Sequence, residues 1–131
     1  MEHRSIIIDS SFLVALYLTN DSQHGQAKII ANKLASMPKT IVIHPYVVEE
    51  VATILAYRVG TALSQRFLID LTASTESTLF APVVIKRDIE FFQALNKKIS
   101  FADATIIYLA KQMNSPILTF DKQMLSILKN L

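Results

Sequence analysis

The chain has 131 residues, 51% of them hydrophobic and 18% charged, a balance that supports a packed core and excludes intrinsic disorder. With no cysteine, disulfides and thiolate metal sites are excluded, and His3, His24 and His44 fall at no metal-binding spacing, so hard oxygen donors suited to magnesium, manganese or calcium are the remaining metal chemistry. Thirteen basic and 11 acidic residues leave a formal charge of +2, which permits a nucleic-acid partner without demanding one.

The elements follow in chain order. Ile6, Ile7 and Ile8 form a β-branched, continuous apolar run bounded by polar residues, the pattern of a strand buried on both faces of a parallel sheet. Ser11–Leu18 reads as a helix, with Asp9, Ser10 or Ser11 placed to cap it. Asp21 or Ser22 is placed to cap a second helix, which carries Ala27, Ile30 and Leu34 on one face. Lys39–Ile43 is a second strand, and His44-Pro45 opens a helix with Val47, Val51, Ile54 and Leu55 at helical spacing, ended by Gly60. Leu63, Phe67 and Leu71 mark another helix. Thr78–Val83 is a third strand weakened by Pro82. Ile85, Ile89, Phe92 and Leu95 mark the next helix, followed by a helix over Ala102–Met113, a strand over Pro116–Thr119, and a closing helix with Met124, Leu125 and Leu128.

Strands interleaved with helices imply an α/β fold of three layers, α/β/α, around a central parallel sheet of four to five strands in a single domain, 1–131. No apolar run approaches the roughly 18 residues of a membrane span, and the amino terminus lacks a small-residue cleavage site, so the expected location is cytoplasmic, without membrane contact. Two glycines are too few for a phosphate-cradling loop of the G-x-x-x-x-G-K type.

In such a sheet the carboxyl ends of the strands and the amino ends of the helices share one edge, where ligands bind. Asp9 ends the first strand and Asp121 follows the last. Asp103 lies in the first turn of its helix, with Ile107 and Ala110 stacked on its own face at i+4 and i+7. Of the adjacent pair, Glu50 shares the face of Val47 and Ile54, whereas Glu49 aligns with Ala52, Thr53 and Ala56. At about 5 Å and an effective dielectric near 20, each close pair of carboxylates repels by roughly 3 kcal/mol, so four inward acids require protonation or a divalent cation. Magnesium or manganese held by Asp9, Glu50, Asp103 and Asp121 would support in-line hydrolysis of a phosphodiester, with the hydroxyls of Ser10 and Thr119 orienting the carboxylates. Setting these four acids aside leaves 13 basic residues against seven acidic ones, an excess of six that could meet phosphates, with Arg58, Arg66, Lys86, Arg87, Lys97 and Lys98 as candidates. His44 is expected to make a local hydrogen bond, and His24, Tyr17 and Tyr57 to pack or to lie on the surface.

SIIIDSSFLVAL, HPYVVEEVATIL, ISFADATIIYLA and ILTFDKQM together resemble the four acidic motifs of the PIN-domain nucleases, in order and across the full chain. The size resembles that of their small VapC-like toxin members. The resemblance implies a metal-dependent endoribonuclease using Mg2+ or Mn2+ on single-stranded or structured RNA. Asp9, Glu50, Asp103 and Asp121 match the four acids, and Thr119 matches the hydroxyl residue of the last motif. Ser10-Ser11 stands where members often carry Thr-Ser or Thr-Asn. Family membership further suggests a homodimer and, for a toxin, a small antitoxin protein that blocks the site. The alternative is a PIN-like protein-binding or structural module with little catalysis. A phosphoaspartyl phosphatase would need an acid where Ser11 stands, and a receiver domain would need an acceptor aspartate that KTIVIHP lacks.

Overall fold

The computed structural model describes residues 4–73 and 77–131. Its elements run β1 (Arg4–Ile8), α1 (Ser10–Tyr17), α2 (His24–Ala35), β2 (Lys39–Ile43), α3 (Pro45–Arg58), α4 (Thr61–Ala73), β3 (Thr78–Phe80), α5 (Ile85–Leu95), α6 (Phe101–Met113), β4 (Ile117–Leu118) and α7 (Lys122–Lys129). The four strands pair in parallel in the order β3-β2-β1-β4. Ile6 faces Ile41 and Ile7 faces Val42 across β1 and β2, while Ile7 also pairs with Ile117 of β4. Ile7 and Val42 are both fully buried, as β-branched residues in a two-sided sheet should be.

The chain steps outward from β1 through β2 to β3, then returns past both to place β4 on the far side of β1. Right-handed crossovers moving in opposite directions put their helices on opposite faces. Accordingly α1 packs on α2 and α3, and α3 on α4, whereas α5 packs on α6 and α6 on α7, giving the three layers expected. The reversal of direction at β1 makes the carboxyl edge between β1 and β4 the topological switch point, where an open α/β sheet leaves a crevice. The core on the first face centres on Val47, Val51, Leu55 and Phe67, and on the second on Ile106, Ile107 and Met124.

Several expectations need correction. α2 begins at His24 behind Gln23, whose side chain makes no capping bond, so neither Asp21 nor Ser22 caps it. Asp21 instead accepts from the Gln23 amide at 2.8 Å and tightens the turn before the helix. β3 stops at Phe80 rather than Val83, since Pro82 has no amide to continue the ladder. The helix marked by Ile85, Ile89, Phe92 and Leu95 is present as α5, with Ile85 and Ile89 53% and 43% exposed and Asp88 buried. Phe91 meets Tyr108 edge-on at 5.0 Å and Phe92 meets Phe101 at 5.4 Å, and this larger aromatic contact fixes the rotation of the helix. Gly60 ends α3 as expected, its amide donating to the Leu55 carbonyl at φ +150, where a side chain would be strained.

Candidate active site

Asp9 leaves β1 in extended geometry and becomes the N-cap of α1, accepting from the Ser11 amide. Its Oδ2 takes three donors: the Ser11 amide at 3.3 Å, the Ser11 hydroxyl at 2.9 Å and the Thr119 hydroxyl at 2.7 Å. Its Oδ1 is buried and has no hydrogen-bond partner. One oxygen of a 2% exposed carboxylate is thus saturated, and the other is left with strong acceptor capacity and nothing to accept.

Thr119 and Ser11 tie the two strand ends of the switch point together. Their hydroxyls lie 3.0 Å apart, the Phe120 amide donates to Ser11 Oγ, and the Asp121 amide donates to Thr119 Oγ1. Ser10, expected to orient the carboxylates, does not make these bonds; Ser11 does. The helical turn that follows Asp9 brings the residue two positions on, rather than its immediate neighbour, back beneath the capping carboxylate.

Asp121 caps α7, its Oδ1 accepting from the Gln123 and Met124 amides at 2.9 and 3.3 Å. Asp103 sits in the first turn of α6, and Ser100 caps that helix by accepting from the Asp103 amide at 3.0 Å. Glu50, in the second turn of α3, is half-buried, whereas its neighbour Glu49 is exposed.

The four acids share one electrostatic neighbourhood. Burial pushes the Asp103 carboxyl up from 3.8 to about 6, the negative charges of Asp9, Glu50 and Asp121 add to the shift, and the Ser100 side chain opposes it. Among the described residues, no three carboxylate or imidazole side chains are already gathered at ligand distance around one point. Mutual repulsion accounts for that, because without a counter-charge these side chains gain by standing apart. The donor set still fits a hard divalent cation: all oxygen, acidic, and including the buried, partnerless Asp9 Oδ1.

Beside this edge lies a second polar group. His44, buried, caps α3 by accepting from the Tyr46 amide at Nδ1, 3.0 Å away, which is the local bond expected of it. Burial lowers its pKa, Arg87 lowers it further, and Asp88 opposes them. The Tyr46 hydroxyl donates to Asp88 Oδ2 at 3.2 Å, and Arg87 lies 3.8 Å from Asp88 Oδ1 and 4.7 Å over the Tyr108 ring. Of the candidate phosphate-binding cations, Arg66 and Arg87 therefore have acidic neighbours, Asp70 and Asp88. Arg58, Lys86, Lys97 and Lys98 are exposed, and the Lys98 carbonyl accepts from Gln123 at the start of α7.

Sequence reasoning missed the cap at Ser100, although Ser-x-x-Asp before an apolar run, a capping-box variant, signals it. Buried Asp88 had no such signal, since a charged residue between Leu95 and Phe92 on a helical wheel reads as an interruption of the apolar face.

The fold is an open parallel α/β sheet with acids near the carboxyl edge of its strands, and the PIN domain model matches residues 6–129. The chain belongs to the PIN-domain family, a family of nucleases. Among solved structures it is similar to VapC20 of Mycobacterium tuberculosis, described as a sarcin-ricin loop cleaving toxin, with TM-score 0.79 and 23% identity over 92% of this chain and 93% of that one. A protein from Pyrobaculum aerophilum follows with TM-score 0.62 and 18% identity over 95% and 84% of the two chains. A domain of a functionally unknown protein from Methanocaldococcus jannaschii gives TM-score 0.58 and 23% identity over 97% and 85%. At these identities the likeness is one of fold. No curated protein matches the chain by sequence. Among the described residues, no helix is long and apolar enough to cross a membrane.

Proposed function

We propose that the protein is a metal-dependent endoribonuclease acting in the cytoplasm as the toxin of a toxin-antitoxin pair, a homodimer restrained by a small antitoxin protein. The observation that supports the nuclease reading is that Asp103, raised to about 6 chiefly by burial, also feels the negative charges of Asp9, Glu50 and Asp121, three acids from three other segments. The fold likeness to a toxin described as cleaving the sarcin-ricin loop favours RNA as the substrate.

Asp9, Glu50, Asp103 and Asp121 would hold Mg2+ or Mn2+. When bound, the cation supplies Lewis-acid activation of water and neutralises charge at the phosphodiester. Ser11 and Thr119 hold Asp9 through Oδ2 and leave Oδ1 without a partner, so that Oδ1 would be available to a cation without reorientation of a buried carboxylate. Asp103, raised to about 6, takes up a proton that would compete with the cation. Affinity for the cation is therefore expected to rise as pH increases through about 6.

The test is cleavage of single-stranded and structured RNAs in magnesium, manganese or EDTA by the wild type and Asp103→Asn. Cutting that requires metal and disappears in the variant supports the reading. Equal cutting by both proteins marks a contaminant. Absence of both cleavage and manganese binding replaces the reading with that of a PIN-like binding module.

A further inference from the structure

The carboxylates account for chemistry at a phosphate but not for how an RNA strand is held beside them. A cavity of about 390 Å³ opens against the same edge, lined by Tyr46, Glu49, Glu50, Thr53, Ile54, Phe101 and Ala102. Its volume falls within the roughly 300–1,000 Å³ typical of small-molecule pockets. One wall carries Glu50 itself, and Phe101 and Ala102 directly precede Asp103, so anything in the cavity is adjacent to two of the four acids.

We infer that this cavity is a nucleobase subsite, in which a base flanking the cleaved phosphodiester stacks against Tyr46 and Phe101. The inference rests on the ribonuclease reading above and adds the part of the substrate that the acids cannot bind.

Three features point to a base rather than to another part of the RNA. First, the walls are aromatic and flat: the Tyr46 and Phe101 rings stand 5.8 Å apart at 49°, and both are half-buried rather than sealed in the core. Single-stranded nucleic acid is commonly held by aromatic faces of this kind, since every base offers a π-face. Second, the only charges on the lining are the carboxylates of Glu49 and Glu50, which repel a phosphate but accept hydrogen bonds from the N–H groups of a neutral base. Third, the rings are braced. Tyr46 is anchored by its hydroxyl on buried Asp88 and by the His44 ring 4.3 Å away, and Phe101 leans on Phe92 at 5.4 Å. Walls that are already ordered lose little entropy when a base arrives. The brace also gives Asp88, His44 and Tyr46 a purpose that the four-acid site leaves unexplained.

The experiment uses an Asp103→Asn background in EDTA, so that neither cleavage nor metal contributes, with a single-stranded RNA octamer carrying 2-aminopurine at successive positions as the probe. Stacking in the subsite quenches the probe at one position. Tyr46→Leu and Phe101→Leu should abolish that quench and weaken binding about tenfold, in line with the stacking of one base on one ring. Tyr46→Phe, which keeps the ring and loses only the bond to Asp88, should restore most of both. Circular dichroism of each variant checks the fold. If the octamer binds and the quench persists in both leucine variants, the subsite is wrong while the ribonuclease reading stands. The subsite is equally wrong if Tyr46→Phe behaves like Tyr46→Leu, since the hydroxyl rather than the ring would then matter. If the octamer does not bind and the wild type cleaves no RNA in manganese, both fall together.

Discussion

Replacing Asp103 with asparagine should stabilise the metal-free protein at neutral pH, although it removes a residue assigned to the site. In the folded chain the Asp103 carboxyl titrates near 6, against an ordinary value of 3.8. Between those values the native state holds a proton that the unfolded state has released, so stability falls as pH rises through the window, and the whole penalty stands at pH 7. A shift of about two units at 1.36 kcal/mol each sets a ceiling near 3 kcal/mol. Asp103 is only half-buried, and solvent screening reduces this to about 1–2 kcal/mol. Urea unfolding in EDTA at pH 4, 5, 6 and 7 measures the effect as a difference between Asp103→Asn and wild type, which cancels groups common to both proteins. The advantage of the variant should be smallest at pH 4 and should grow to about 1–2 kcal/mol at pH 7, or a few degrees in Tm. Manganese should reverse the order, because a ligand that binds only the folded wild type stabilises it by RT ln(1 + [L]/Kd). An advantage independent of pH, or a variant less stable than wild type at pH 7 in EDTA, would refute the claim that the Asp103 carboxylate is disfavoured by burial and by its acidic neighbours.

Two other perturbations test the frame around the acids. Thr119→Val keeps the shape but removes the donor to Asp9 Oδ2 and the acceptor for the Asp121 amide, and should cost about 1–3 kcal/mol in urea unfolding while weakening manganese binding measured by calorimetry. His44, held below its ordinary 6.5 chiefly by burial, contributes in the opposite direction to Asp103. Below pH 6.5 the unfolded chain takes up a proton that the native imidazole resists, so stability falls on acidification, and His44→Asn, which can still accept from the Tyr46 amide, should flatten that slope.

The legible parts of the fold were those in which one physical preference dominates. Three consecutive isoleucines admit little but a buried strand, and Pro45 behind His44 has no amide to lose at the start of a helix. Asp9, Asp103 and Asp121, which follow a strand or open a helix, were readable because parallel topology sends all such positions to one edge, and Glu50, a turn further along α3, was readable from helical phase. Where preferences compete, the sequence was ambiguous. The rotation of α5 pits Ile85 and Ile89 against Phe91 and Phe92, and tertiary aromatic contact decides in favour of the phenylalanines, burying Asp88 and exposing the isoleucines. The choice between Ser10 and Ser11 turns on the dihedral angles of a single turn, which composition and spacing do not specify. Tyr46 and Phe101 carry no local signal of their position, because nothing in the sequence reveals that α3 and α6 meet beside the acids.

Asp9 and Asp121 carry a division of labour that can be separated experimentally. Each spends oxygen on a helix cap: Asp9 Oδ2 receives the Ser11 amide, and Asp121 Oδ1 receives the Gln123 and Met124 amides. Asparagine caps a helix about as well as aspartate, because the amide oxygen accepts the same bond, but it brings no charge to the cation. Asp121→Asn should therefore unfold in EDTA within a few tenths of a kcal/mol of wild type, whereas Asp121→Ala should lose about 0.5–2 kcal/mol with the cap. Manganese affinity should fall in both, since charge and not capping draws the ion. The comparison needs only urea unfolding in EDTA and a manganese titration of each protein. Undiminished manganese affinity in Asp121→Asn would show that Asp121 serves α7 alone and would leave Asp9, Glu50 and Asp103 to hold the ion.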